Sequence, residues 1–365
     1  MLTTEIANDI VKETSLRIDR NVNIMNNKGE IIASRDKSRV GKIHEGALEV
    51  LKKGETLIIP SDQNENWKGA QSGINLPIVF QERVLGVIGI TGAPEEMGEL
   101  AGLVKMTTEL MIRQEFIASQ MEWKQRTKEM IIEELLKTAP SYDQISRGLN
   151  ILHLKLQPPF IILIVQIKER SIPNQTLINK LEDIVGQGNG IIGFININRL
   201  FIGITGLNEE KAHQQIDKVY HFLKELHIKF RISYSLPFNQ MEGFNQSYLD
   251  CDLSLNISGE TNDLVSFGNL EAKAFIYQIN RSKAERFFHR IKENLSESEM
   301  ETLEVFFSTN LNIQKASEEL FIHRNTLIYR LQRIVEKTGY DPKKFHDALT
   351  LQIALWLFEK LKHNP

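Results

Sequence analysis

The alternation of apolar and polar residues in the first third of the chain predicts a small sheet flanked by helices. Residues 23–34 read as two short strands around an Asn-Lys-Gly turn, and two longer strands over 73–80 and 84–92 follow. Apolar residues at helical spacing predict helices over 1–19 and 39–51, the second ended by Gly54. The simplest assembly of these elements is an antiparallel sheet with its helices on one side.

A second mixed unit is predicted in the middle of the chain. Its first strand is the apolar run 160–167, followed by a helix over 175–185 and a hairpin over 190–206. An amphipathic helix over 211–227 and a strand over 229–235 complete the pattern. The spacing therefore predicts a second α/β domain.

A long helix over 100–123 joins these two stretches, and its apolar residues recur in steps of seven. One line passes through Leu103, Leu110 and Ile117, and a partial second line passes through Thr107, Gln114 and Met121. A seven-residue repeat is typical of helices that pair with a copy of themselves. The alternative, a single helix packed on the first sheet, fits the same residues equally well.

Near the end of the chain, the pattern predicts two short helices separated by a tight turn. Ala316 and Leu320 face inward from the first helix, and the second buries a stripe at helical spacing, Leu327, Leu331 and Ile334. Helices over 298–308 and 345–361 flank this pair, which has the form of a helix-turn-helix. Phe321 stands where many such units have glycine, so we expect either a negative φ or backbone strain. The fold class is therefore an α+β multidomain protein with an all-α end.

Composition and charge restrict what such a chain does. Its 365 residues suffice for two or three domains, and the single cysteine, Cys251, fits a reducing compartment and excludes a disulfide framework. The net charge of −3 excludes a surface coated with nucleic acid, but residues 313–340 carry five basic and three acidic side chains, a local net charge of +2. We expect a cytoplasmic protein without a signal peptide or membrane span, and DNA contact restricted to this region.

The exposed side of the second short helix supplies the candidate DNA contacts. Arg324 and Arg330 suit phosphates, while Asn325, Tyr329 and Arg333 suit base edges or phosphates. Thr326 completes the set. A small amphipathic hairpin with solvated arginines is the alternative interpretation.

Polar residues at the ends of the N-terminal elements form a candidate ligand site. An arginine can clamp a carboxylate with two hydrogen bonds, a histidine can add a donor, and glycines open the backbone to a ligand. The same residues could merely build turns. The candidates are Ser34, Arg39, Gly41, His44, Gly73, Asn75, Thr91 and Gly92.

These segments resemble a known family at both ends of the chain. Residues 23–25, 29–34, 39–51, 73–78 and 84–92 are similar to the sugar diacid recognition domain. Residues 321–331, Phe-Ile-His-Arg-Asn-Thr-Leu-Ile-Tyr-Arg-Leu, resemble the helix-turn-helix of purine-catabolism and carbohydrate diacid regulators. The resemblance implies a sensor over 1–135, a degenerate cyclase-like (GGDEF-like) domain over 136–290 and a DNA-binding domain over 291–365. It also implies a transcription regulator of sugar diacid or glycerate utilisation, usually an activator.

No catalytic, metal or cofactor site is expected. The hairpin 195–200, Ile-Asn-Ile-Asn-Arg-Leu, lacks the carboxylates that cyclase chemistry needs, and His213, His221 and His227 lack the spacing of helix-borne zinc ligands. The expected partners are DNA, a small hydroxy-carboxylate and a second copy of the chain. A second copy is expected because a single helix-turn-helix of this size, here called the reader, binds DNA weakly. Two alternatives remain: a sensor or scaffold whose last helices bind a protein, and a cyclase-derived enzyme.

Overall fold

The computed structural model describes residues 2–60, 67, 70–169, 172–186, 188–259, 263–292 and 295–363. These residues form thirteen α-helices and two five-stranded sheets, in two compact units, Met1–Gln125 and Arg126–Pro365. The predicted fold class is confirmed. Among the described helices, none is both long enough and apolar enough to cross a membrane.

The first unit is built around an antiparallel sheet in the order β2-β1-β5-β4-β3. The hairpin between its two longest strands turns at Gln81 and Glu82, which both have positive φ, as the common two-residue hairpin turn requires. The elements in chain order are α1 (Thr4–Ile18), β1 (Val22–Met25), β2 (Ile31–Ser34), α2 (Glu45–Lys53), β3 (Leu57–Ile59), β4 (Gly73–Phe80), β5 (Arg83–Thr91) and α3 (Gly98–Leu135).

Helices cover both faces of this sheet, so the prediction that they lie on one side was wrong. Ile24 and its partner Ile88 share a core with α1 and the first part of α3. Met25 and Val87, the next pair along the same strands, pack beneath α2. Successive side chains of a strand point to opposite faces, so the continuous burial of β1 required two covering layers.

The helix α2 begins at Glu45 and not at Arg39, as the sequence pattern had suggested. Lys37–Arg39 form one 3-10 turn, and the chain then runs extended beside β2. The amide of Gly41 donates to the carbonyl of Ile31 at 2.8 Å, which uses a positive φ at this glycine. Gly54 ends the helix with φ +73, as expected.

The second unit contains the other sheet, in the order β10-β9-β6-β8-β7. One face packs against α5 and α6, and the other against α4, α7 and the last turns of α3. The predicted α/β arrangement is thus confirmed. The elements are α4 (Tyr142–Leu152), β6 (Phe160–Glu169), α5 (Asn174–Val185), β7 (Gly190–Asn196), β8 (Arg199–Thr205), α6 (Glu209–Glu225), β9 (Lys229–Tyr234), α7 (Gly243–Ile257) and β10 (Leu264–Ser266).

Several elements of this unit lie outside the predicted pattern. The helix α7 buries Ser247, Cys251 and Ser254 among its contacts with the sheet. These small side chains allow close packing but weaken the apolar periodicity by which a helix is recognised. The short strand β10 joins β9 in parallel and extends the sheet by one edge.

The C-terminal helices enclose a core of their own. Ala316, Leu327, Leu331 and Ile334 are buried together, which confirms the predicted inward faces of the two short helices. Asn312 caps the first of them by accepting from the amide of Lys315, also as expected. The helices are α8 (Phe267–Tyr277), α9 (Arg281–Lys292), α10 (Glu297–Ser308), α11 (Ile313–Glu319), α12 (Arg324–Thr338) and α13 (Phe345–His363).

The turn between α11 and α12 has a left-handed residue at Phe321. Its φ is +52° and its side chain is 95% exposed. Of the two expected outcomes, a negative φ is therefore wrong, and the backbone adopts the conformation that glycine usually supplies. A non-glycine residue in this region costs about 1–2 kcal/mol.

We predict that Phe321→Gly raises the free energy of unfolding. Relief of the left-handed strain outweighs the extra entropy of glycine in the unfolded chain, which leaves a gain of about 0.5–1 kcal/mol. Denaturant unfolding measures the change. Phe275→Gly is the matched control, because Phe275 is also exposed but lies inside α8, where glycine should lower stability by about 1 kcal/mol. A loss of stability at Phe321 would show that the side chain itself supports the turn.

Candidate functional site

A row of small and polar residues crosses the sheet of the first unit on the face that α2 covers. Ser34, Asn23, Gly89 and Asn75 are consecutive cross-strand partners on β2, β1, β5 and β4. The hydroxyl of Ser34 donates to Oδ1 of Asn23 at 2.6 Å. This row interrupts an otherwise apolar sheet, which places polar groups where burial is costly unless they find partners.

Gly89 and Asn75 form one end of that row. A Cβ atom at Gly89 would lie 2.7 Å from Oδ1 of Asn75, so a side chain there would press on the amide. Asn75 is only 3% exposed. A side-chain amide at this position carries both a donor and an acceptor that suit a small polar molecule.

A second row follows two residues further along the same face. Thr91 pairs with Gly73, and Gly73 pairs with Ile59 at the end of β3. Gly73 permits a close approach here, because a Cβ would lie 2.1 Å from the carbonyl oxygen of Ile90. Gly92 follows with φ +153°, a conformation that few other residues adopt, and its amide donates to the carbonyl of Ser72.

Arg39 brings a cation to the same end of the sheet. It is 9% exposed, and its Nη1 donates to Oε1 of Gln71 at 3.1 Å, just before β4 begins. Burial lowers the pKa of Arg39 from its usual range, and the nearby Asp36 opposes that shift. An arginine nevertheless stays charged at neutral pH, so it brings a desolvated positive charge to the site.

His44 adds a neutral imidazole. Burial, and then the charge of Arg39, lowers the pKa of His44 from 6.5 to about 4. Its Nδ1 accepts from the amide of Ala47 at 3.1 Å and thereby caps α2. Nδ1 is therefore the unprotonated nitrogen, and Nε2–H is the donor.

The structure thus brings most of the predicted ligand-site residues to one end of one sheet face. Gly41 is different, because its backbone hydrogen bond to Ile31, which needs a positive φ, already accounts for a glycine at this position. Sequence reasoning missed Asn23 and Gly89 as members of the site. The signal was an asparagine within the apolar strand Val22–Met25 and a glycine between Ile88 and Ile90.

The outer side of α12 carries most of the candidate DNA contacts. Asn325, Tyr329 and Arg333 are exposed opposite the buried stripe, and Gln332 lies beside them. Arg324 and Thr326 are exposed in the first turn. His323 caps this helix, with Nδ1 accepting from the amide of Asn325 at 3.2 Å, a role that the sequence pattern did not reveal.

Two basic side chains of α12 turn towards α10 instead. Arg330 is half-buried, and its Nη1 donates to the hydroxyl of Thr302 at 3.3 Å. Lys337 contacts the buried carboxylate of Glu299 at 2.8 Å. Burial alone would raise the pKa of Glu299, but hydrogen bonds from Lys337 and Ser296 lower it.

The hairpin β7–β8 of the middle sheet has no carboxylate at its tip. Asn196 closes the turn by accepting from the amide of Asn198 at 3.0 Å, and Arg199 pairs with Asp252 of α7. Cys251 is fully buried, and burial raises the pKa of its thiol far above the usual range. The one cysteine of the chain is therefore a packing residue and not an accessible nucleophile.

Comparison with known proteins adds three family matches, in an order that follows the units described above. Residues 2–135 match the family model for putative sugar diacid recognition. Residues 137–257 match the GGDEF-like domain, and residues 300–357 match the PucR C-terminal helix-turn-helix domain. The candidate ligand face therefore lies within the first match and α12 within the third.

Individual relatives agree with these matches. The carbohydrate diacid regulator of Escherichia coli (strain K12) is 28% identical over 98% of this chain and 98% of that protein. The DNA-binding transcriptional activator AdeR of Bacillus subtilis (strain 168) is 22% identical over 81% of this chain and 74% of that protein. The proline-responsive transcriptional activator PutR of the same organism is 38% identical over 20% of this chain and 18% of that protein. The chain therefore carries regions that match the sugar diacid recognition, GGDEF-like and PucR helix-turn-helix models in that order, and its similarity to the carbohydrate diacid regulator extends over nearly its whole length. These matches support a DNA-binding regulator of transcription with a C-terminal helix-turn-helix domain.

Proposed function

We propose that the chain is a ligand-responsive transcription activator whose effector is a small hydroxy-carboxylate held in the first unit. The position of the buried amide of Asn75 carries this proposal, because Asn75 pairs with Gly89 on the sheet face that α2 covers, and His44 caps α2 beside the charge of Arg39. The match of residues 2–135 to a sugar diacid recognition model and the names of the relatives support it. The activator role rests on the names of AdeR and PutR.

The chemistry of the site defines the effector class. Arg39 offers a desolvated cation and His44 a neutral donor, a combination that favours one carboxylate. The amides of Asn23 and Asn75 suit the hydroxyls of a polyol chain. Because the described residues of this face include one cationic clamp, the site would accept a monocarboxylate such as glycerate as readily as a sugar diacid.

The proposed DNA-binding surface is the exposed side of α12. Arg324, Asn325, Thr326, Tyr329 and Arg333 would meet phosphates and base edges, and Arg330 would contribute mainly through α10. One reader of this size needs a second half-site for specificity, so the active form is a homodimer or a larger assembly. Such a regulator works in the cytoplasm and performs no catalysis, with the divisions 1–135, 136–290 and 291–365 acting as sensor, spacer and reader.

Signal transfer would begin at β5, which takes part in both faces of the first sheet. Gly89 and Thr91 face the ligand side, whereas Ile88 and Ile90 share a core with the first part of α3. A ligand that binds Asn75 changes the position of β4 against β5. Packed cores respond to such displacements with small shifts of a whole helix, so α3 would shift along its sheet.

Thermal unfolding of the full chain with small hydroxy acids tests the effector site. We expect glycerate or a hexarate to raise the stability by about 2.7 kcal/mol at a hundredfold excess over Kd. Arg39→Ala should abolish this shift, because it removes the cation that holds the carboxylate. Arg35→Ala is the control, since Arg35 pairs with Asp19 on the surface and should leave the shift intact. A wild-type chain that no mono- or dicarboxylate stabilises would overturn the proposed effector class.

The environment of His44 predicts a specific dependence of stability on pH. The unfolded chain takes up a proton near pH 6.5, while folded His44 resists protonation until about pH 4. The stability due to neutral His44 is therefore complete above pH 6.5 and is lost between 6.5 and 4, on the order of 3 kcal/mol. His44→Asn retains a capping acceptor but cannot titrate, so the difference in unfolding free energy between variant and wild type should be constant above pH 6.5 and should change as the pH falls through this window. A pH-independent difference would contradict the assignment.

DNA binding at several salt concentrations tests the reader. Arg333→Ala should lower the slope of log K against log salt by about one, or relax preference at one base pair. Arg330→Ala should leave the slope nearly unchanged and lower the unfolding free energy by about 1 kcal/mol, the value of an ordinary hydrogen bond such as that to Thr302. If Arg330→Ala lowers the slope instead, this arginine contacts phosphate. Absence of any salt-dependent binding by the wild type would favour a protein partner for these helices.

A further inference from the structure

The first part of α3 exposes large apolar side chains on the side that faces away from its sheet. Leu103, Leu110 and Ile117 are 56%, 53% and 46% exposed. Ala101 and Val104, by contrast, are buried in the core of the first unit. One stripe suffices to hold α3 on its sheet, so the second stripe is unexplained by the fold of a single chain.

The spacing of this second stripe indicates what covers it. Leu103, Leu110 and Ile117 are seven residues apart, whereas a straight helix packed on its own sheet follows a period of 3.6. A seven-residue repeat keeps one seam facing a partner helix. The companion line in the same register consists of Leu100, Thr107, Gln114 and Met121.

Charge supports the same conclusion. None of these seven positions holds a charged residue, although 25% of the residues in the chain are charged. Depletion of charge is the feature that marks the centre of protein interfaces. The line of leucines ends at Lys124, one further step of seven along the helix, so the uncharged seam stops near the limit of the first unit.

The apolar surface continues from α3 onto α1. A groove between these helices is lined by Thr14, Ile18, Leu100, Leu103, Thr107 and Met111, together with Glu13, Arg17 and Val104. The exposed ridge of α3 thus lies beside a groove on the same surface. A ridge and a groove on one face complement each other in two copies related by a two-fold axis.

The size of this surface is sufficient for a dimer. From Leu103 to Met121 the helix rises by about 27 Å, and two adjacent helices are about 20 Å wide. The footprint is then on the order of 500 Å² per copy, or about 1,000 Å² in total, the lower limit for a specific interface. The expected complex is a reversible dimer that depends on protein concentration.

We propose that two copies of this chain pair in parallel through α3, with Leu103, Leu110 and Ile117 of each copy along the seam. In this arrangement Gln114 faces Gln114 of the other copy, so each amide supplies the donor and acceptor that the other needs, and a polar residue at one such position fixes the register. This inference rests on the proposed function in one respect: pairing of two readers on DNA is the reason for the chain to dimerise.

Sedimentation equilibrium of the full chain tests the interface. We expect the wild type to be dimeric at micromolar concentration, and Leu110→Glu with Ile117→Glu to weaken dimerisation at least a hundredfold. Leu249→Glu is the matched control, because Leu249 is exposed to a similar degree (48%) but lies on α7. A double variant that is as dimeric as the wild type, or a wild type that is monomeric throughout, would overturn the proposal.

Cross-linking tests the parallel register and also covers the possibility that the glutamate variants fail to fold. Cys251 is buried, so Leu110→Cys adds the one accessible thiol. A parallel seam brings the two introduced cysteines within disulfide distance. We expect a disulfide-linked dimer on mild oxidation, and none from Leu249→Cys. A wild-type dimer without this link at Leu110 would refute the parallel seam.

The two proposals can fail separately. A monomeric wild type that still shows the hydroxy-acid shift and salt-dependent DNA binding would remove the α3 interface and retain the regulator function. A dimer that is lost in the glutamate variants, in a protein without DNA binding or effector binding, would retain the interface and remove the proposed function.

Discussion

The first unit depends on how it accommodates two amides in the middle of a sheet that is buried on both faces. Burial of an unpaired amide is costly, and the sheet has α1 and α3 on one side and α2 on the other. Ser34 satisfies Asn23 with a hydrogen bond, and Gly89 leaves room for the amide of Asn75, because a Cβ at Gly89 would lie 2.7 Å from Oδ1 of Asn75. The sheet therefore holds both amides in one polar row on the face that α2 covers.

The segment between β2 and α2 carries two of the proposed ligand residues, Arg39 and His44. Because α2 begins at Glu45, residues 35–44 are free to form a 3-10 turn and an extended stretch that carry Arg39 and His44 to the sheet. A helix over 39–51 would have placed both side chains on its own surface. Burial then keeps His44 neutral beside a charged Arg39, so the two groups lie close together without repelling each other.

Sequence patterns predicted the elements whose signals are local. The hairpin of β4 and β5 and the two short helices of the reader were found, because alternation, turn residues and the stripe Leu327, Leu331, Ile334 all lie within a few residues. The start of α2 was missed because Val40 and Ile43 imitate helical spacing, although both are exposed in extended chain. Asn23, Gly89 and the contact of Arg330 with Thr302 depend on neighbours distant in sequence, which no local pattern contains.

The two faces of β5 connect the polar row to the long helix. Alternate residues of this strand belong either to the polar row or to the core under α3, so a displacement of Gly89 and Thr91 would also displace Ile88 and Ile90. Protein cores are packed densely and shift as units. A helix held on one side by Ala101 and Val104 and on the other by a copy of itself would convert that shift into a change in the seam. The same helix would thus serve both as the dimer contact and as the element through which ligand binding in the sensor affects the rest of the chain.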